Sequence, residues 1–263
     1  MSEKDERKDA MTRRQFIRKG GYVAGGAIGG GILGASISQM FMPTAPSPSP
    51  EISKTKNEGV QKADVERYNQ ALMFFNKQED FKVLAQASER IFPADDLGPG
   101  AIDLDVPFYI DHQLAGAWGN NARDYMLGPF YPGIETQGFQ SHLKRNEIIS
   151  QGIARIQSVS KENFKKKFTE LNEHQQDDIL AAFEKGKVKM KGVSSNDFFT
   201  LLRMSVLEGV YADPLYGGNR DMAGWKMKGF PGNQMSYLAQ IESKEFLEIE
   251  PSSLHSHIAS PKK

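Results

Sequence analysis

A mainly α fold, a single helical domain with long ordered loops, is what the sequence predicts. Three observations predict it. Apolar residues recur at three- and four-residue spacing in five stretches between Phe81 and Val210, capping residues stand ahead of several of them, and no run of alternating apolar and polar residues marks a strand. The chain has 263 residues, 39% of them hydrophobic and 25% charged, enough for one medium-sized domain with an N-terminal appendage.

The appendage covers residues 1–42. Seven cations, Lys4 to Lys19, gather at the start, and then Gly20 to Met42 carries no charge. That is the layout of an export signal. The pair Arg13-Arg14, followed by Phe16-Ile17 and then Arg18-Lys19, matches a twin-arginine signal, which carries proteins across the membrane already folded. Eight glycines make the uncharged stretch only weakly apolar, which suits that route. Ser36-x-Ser38 offers a passable cleavage site, whereas the stretch is also long enough to remain as an anchor. Gly29 to Gly34 fits G-x-G-x-x-G by letter, but it follows a basic region and no strand, so it is no dinucleotide fingerprint.

Residues 43–63 read as a flexible linker, with Pro43, Pro46, Pro48 and Pro50 interleaved with Ser and Ala. The helical domain is expected over 64–240. Its first clear helix carries Phe81, Leu84, Ala85, Ser88, Ile91 and Phe92 and ends at Pro93. Asp105 is expected to cap a second, with Pro107 in its first turn and Val106, Ile110 and Leu114 facing inward. A third stretch carries Phe139, Leu143, Ile149, Ile153 and Ile156. Asn172 and Gln175 form a capping box ahead of Ile179, Leu180 and Phe183, with Gly186 at the far end. Ser195 is expected to cap a last long helix through Phe198, Phe199, Leu202, Val206 and Val210, stopping before Pro214. Ordered loops fall at 93–104, 116–138 and 212–236, and a polar tail at 241–263.

Composition closes off several chemistries. Lys+Arg and Asp+Glu both number 33, which argues against nucleic acid as a partner. Without residues 1–38 the count becomes 26 against 29, slightly acidic. With no cysteine there is no disulfide, iron–sulfur cluster, thiolate zinc site or lipoprotein anchor. His112, His142, His174, His255 and His257 fit no spaced metal motif, and no nucleophile elbow or P-loop occurs. Asp95, Asp96, Asp103, Asp105 and Asp111 form an acidic stretch that calcium could use, but the spacing is not that of an EF-hand. Cap and helix-dipole roles explain Asp103 and Asp105 more simply. No metal ligand and no catalytic residue is assigned.

The informative segment follows the last long helix: Tyr211-Ala212-Asp213-Pro214-Leu215-Tyr216-Gly217-Gly218-Asn219-Arg220-Asp221, then Gly224-Trp225 and Gly229-Phe230-Pro231-Gly232. Gly and Pro set a tight path, while Tyr, Trp and Phe are too apolar for a free linker. The segment packs either on its own domain or on another protein. For the second case the candidate partner-binding residues are Asp213, Pro214, Tyr216, Asn219, Arg220, Trp225 and Phe230.

These residues, together with the leader, Ala87 to Asp96, and Val106 to Gly116 with Tyr109-Ile110-Asp111, resemble the gluconate 2-dehydrogenase subunit 3 family across roughly residues 80–232. The resemblance implies a small accessory subunit with no catalytic residues and no cofactor of its own. It implies a large dehydrogenase subunit that holds FAD, and a cytochrome or another electron acceptor beyond it. It implies that this chain's leader takes the pair through the twin-arginine translocase to the outer side of the cytoplasmic membrane. A self-contained oxidoreductase or metalloenzyme, with residues 95–111 and 213–232 forming one pocket, stays open as an alternative. So does a tethered scaffold.

Overall fold

The computed structural model describes residues 70–131, 134, 140–238 and 240–255. Arg13, Arg14, Phe16 and Ile17 of the twin-arginine stretch, the 43–63 linker, Phe139 and His257 lie outside the described residues. Within them the fold is mainly helical, with six α-helices and no strand; two isolated bridges join Asp95 to Gly98 and Gly232 to Ser252.

Helix α1 spans Gln78–Ile91. Glu79 and Asp80 stand in its first turn, where the helix dipole favours acids. Its buried face is Val83, Leu84, Ala87, Ser88 and Ile91. The stripe is therefore rotated slightly from the sequence expectation, with Val83 and Ala87 inside and Phe81 and Ala85 at its edge. The helix stops because Pro93 pushes Phe92 out of the helical region, to φ −134° and ψ 76°.

Helix α2 is Val106–Ala115, with Pro107 in its first turn as expected. Asp105 does occupy the position before the helix, but it does not cap it: its φ is +58° and its carboxylate accepts no hydrogen bond from the first turn. That carboxylate faces Arg220 instead, 3.4 Å away. Helix α3 runs Arg145–Phe164, starting later than the stretch from Phe139 suggested, with Leu143 ahead of it. Lys144 N–H donates to the Glu147 carboxylate at 2.7 Å, which closes the helix start.

Helix α4, Glu173–Glu184, has the expected box: Gln175 N–H donates to Asn172 Oδ1 at 2.9 Å, and Gly186 takes φ +68° just past the end. Helix α5 is Ser195–Tyr211. Its cap is Ser194, one residue earlier than expected, because it is the Ser194 hydroxyl that accepts from Asp197 N–H at 3.0 Å. Two 3-10 turns, Pro214–Tyr216 and Arg220–Met222, lead into the short α6, Ala223–Lys228.

Helix α5 is the axis of the body. It packs against α1, α2, α3, α4 and α6, and buries Phe198, Phe199, Leu202, Val206 and Val210. Each such side chain contributes about 1.5–3 kcal/mol when removed from water. The approach of α3 to α5 depends on Gly152, since a Cβ there would sit 1.9 Å from the Phe198 ring. Among the described residues no helix is long and apolar enough to cross a membrane.

Candidate functional site

The motif from Ala87 to Pro93 is a set of internal ties. Ala87 and Ile91 fill the core. The Glu89 carboxylate accepts the amides of Ala94 at 3.1 Å and Ile102 at 2.9 Å, folding the 93–104 loop around itself. Gly100 passes so close that a Cβ would meet Glu89 Oε1. Arg90, 6% exposed, makes a two-toothed pair with Asp177 at 2.8 and 3.0 Å and reaches Glu173 at 2.8 Å. Burial works against its charge, but Asp177 and Glu173 outweigh that and hold it above its ordinary value.

Asp111 and His112 of α2 capture the segment before α1. The Asp111 carboxylate, wholly buried, accepts the amides of Met73, Phe74 at 3.2 Å and Phe75 at 2.8 Å. His112 Nε2 lies 2.8 Å from Ala71 O. Thus two of the residues weighed for acid–base or metal chemistry hold backbone. Asp95 likewise accepts from Leu97 N–H at 2.8 Å. Among the described residues no three His, Asp or Glu side chains converge as a metal site.

The segment after α5 folds back over the last turns of that helix. Gly218 and Gly224 lie against the backbone of Gly209 and Val210, with room for no side chain: a Cβ would sit 2.3 Å from Gly209 O or 2.1 Å from Val210 O. Asn219, fully buried at φ +48°, donates to Ala212 O at 2.8 Å and accepts from Gly224 N–H at 2.7 Å. Asn tolerates this left-handed conformation better than most residues. Trp225, 5% exposed, donates its indole N–H to Tyr211 O at 2.8 Å and meets the Phe230 ring edge-on at 5.4 Å.

The two segments proposed from sequence as walls of one pocket do meet. They meet in contact: Arg220 pairs with Asp105, and Arg220 N–H donates to Leu104 O at 3.3 Å. An open concavity of about 490 Å³ lies elsewhere, beside the first turn of α3, lined by Phe74, Asn120, Asn146 and Glu147 among others. Glu147 already serves the helix start there, and Asn146 Nδ2 donates to Asn120 Oδ1 at 3.1 Å. On the α2–α5 contact, burial pushes the Tyr109 phenol up to about 12, with the Glu208 charge adding to it. The Glu208 carboxyl is itself raised by partial desolvation, against the pull of Arg145.

Of the seven candidate partner-binding residues, the polar groups of Asp213, Asn219 and Arg220 and the indole N–H of Trp225 all bond within the chain. Tyr216 and Phe230 remain open to solvent, at 52% and 48%. Pro214 begins the first 3-10 turn and is half-buried. The larger exposed apolar surface was not singled out in the sequence. It lies at Tyr125, Leu127 and Tyr131, and again between Met235 and Leu247. From residue 241 the second stretch sits among acids and so reads as a polar tail, while 235–240 reads as the end of the helical domain; the apolar residues on both sides of that boundary were the available signal.

The family model described as Gluconate 2-dehydrogenase subunit 3 matches residues 78–232. The match runs from the start of α1 through the loop that closes over Trp225. No curated protein and no solved structure matches the chain.

Proposed function

The chain belongs to the gluconate 2-dehydrogenase subunit 3 family, and from that membership we propose that it is the non-catalytic small subunit and export escort of a membrane-associated, FAD-dependent sugar or sugar-acid dehydrogenase. The family is a subunit of a multi-subunit dehydrogenase. The observation that carries the reading is the match itself, which takes in all six helices of the described body. In this reading the larger subunit holds FAD and oxidises the substrate, and electrons pass on to a cytochrome or another acceptor. Arg13, Arg14, Phe16 and Ile17 direct the folded pair to the translocase, and the work is done on the outer side of the cytoplasmic membrane.

The site chemistry supports an accessory role. The titratable residues of the sequence motifs, Glu89, Arg90, Asp105 and Asp111, hold backbone segments or each other's elements in place. The test is export. Replacing Arg13 and Arg14 by Lys in the native host leaves the larger flavoprotein and its dehydrogenase activity in the cytoplasmic fraction. Flavoprotein still found outside overturns the escort role.

A further inference from the structure

Past the family motif the chain leaves the body at Gly232 and returns at Ser252. Asn233 N–H donates to Ser252 O at 2.7 Å, and Ser252 N–H donates to Pro231 O at 3.2 Å. Leu254 N–H donates to Asp213 Oδ2 at 2.8 Å, fastening the return to the turn after α5. Gly232, at φ +70°, makes the closure possible, because a Cβ would stand 2.4 Å from Ser252 O and 2.6 Å from the Trp225 ring. Residues 233–251 therefore form a loop with a fixed base.

What this loop presents is not what a free surface loop presents. Phe246 is 93% exposed, Leu238 78%, Ile241 69% and Met235 68%, with Tyr237 and Leu247 also open. Single exposed apolar residues are ordinary, but a loop that concentrates them marks an interaction surface. Glu242 and Glu245 stand between them and Glu248 and Glu250 just after, against Lys244 alone, and none of the four acids makes an ion pair among the described residues.

We propose that the 233–251 loop is the arm by which this chain holds the larger dehydrogenase subunit, its apolar tip entering a groove with a cationic rim. The proposal rests on the accessory-subunit reading above. The acids select the occupant. In a two-fold contact with a second copy, four glutamates would face four glutamates, and an anionic lipid surface would repel them equally. A basic-rimmed groove on the partner subunit satisfies both the apolar and the acidic residues. The fixed base lowers the ordering cost of docking, since the two ends of the loop are already in place.

The test is to co-express the full chain with its larger flavoprotein subunit and measure association. Wild-type chain co-elutes with the flavin-bearing subunit. The double variant Leu238→Asp/Phe246→Asp associates at least about tenfold more weakly, because aromatic and apolar anchors dominate such contacts. Its melting temperature is unchanged, since both side chains are exposed. Glu245→Lys/Glu248→Lys slows association at low salt, with the difference shrinking as salt rises. Wild-type association by the Leu238→Asp/Phe246→Asp variant overturns the loop assignment alone. A chain that sediments by itself as a dimer, and becomes monomeric in that variant, also overturns it in favour of self-association. Failure of the wild-type chain to associate with any flavoprotein subunit overturns the accessory reading and the arm together.

Discussion

Asp111, with no surface open to solvent, accepts the backbone amide of Phe75 at 2.8 Å. The same carboxylate takes the two preceding amides, and His112 meets Ala71 O from the next position on α2. A buried negative charge is tolerated only when hydrogen bonds replace its water, and three amides in succession do so here. The pair explains why the segment before α1 follows a fixed path although it has no regular structure.

Asp111→Asn tests that account. The replacement keeps the shape but turns one acceptor oxygen into a donor, which then faces a donor. The expected cost is about 1.5–3 kcal/mol of folding stability. Amide exchange at residues 73–75 speeds up beyond the global change. Unchanged stability and exchange would show that the carboxylate is not what holds the segment.

Arg90 and Asp177 give a double-mutant cycle. Asp177→Leu leaves a buried guanidinium with only the exposed Glu173 as partner, and costs about 3–5 kcal/mol. Arg90→Met/Asp177→Leu removes both charges from the α1–α4 contact and restores much of that stability. Denaturant midpoints for the two single variants and the double variant measure the coupling. Simple additivity would mean that the pair is not energetically linked.

Gly224→Ala places a methyl group 2.1 Å from the backbone oxygen of Val210, an atom that cannot swing aside. Overpacking of this kind costs about 1–3 kcal/mol or more, and it unseats Trp225, so indole fluorescence shifts with the melting temperature. Gly229→Ala is the contrast. At φ +61° it meets nothing within 4 Å, so only the left-handed preference is lost, about 1–2 kcal/mol.

The Glu208 carboxyl lies above its ordinary value because it is partly desolvated, with Arg145 pulling the other way. The folded chain therefore holds that proton more tightly than the unfolded chain. The stability this provides is present below the unfolded carboxylate value and is lost as pH rises through the folded one. Glu208→Gln, neutral throughout, raises the melting temperature slightly at neutral pH, the residue being open to solvent and its charge partly screened. Its advantage over the wild type shrinks as pH falls through the carboxylate range, and an advantage independent of pH would assign the effect to packing instead.

Periodicity made the body legible. Ile179, Leu180 and Phe183 after the Asn172–Gln175 box, and Phe198 to Val210 in α5, lie where their spacing placed them, because burial of an apolar stripe decides a helix's orientation. The differences at the helix starts came from which hydrogen bonds the capping side chains make. Ser194 and Ser195 are chemically identical caps, and only geometry chooses between them. Asp105 stands at the right position but turns toward Arg220, more than a hundred residues away in sequence. The ties of Asp111 to Phe75 and of Gly232 to Ser252 join irregular segments, which carry no period to betray them.

Because both feet of the 233–251 loop are fastened independently, cutting it and removing it are different operations. A single protease nick at the tip leaves each new end anchored, one beside Trp225 and the other at Asp213, and the fragments stay together as one particle. A stop codon ahead of Ser252 has the opposite result. It strips away the neighbour of Gly232 over the indole and leaves the Asp213 carboxylate with the Leu215 amide but without that of Leu254, loosening the end of the family fold from a position outside the family match.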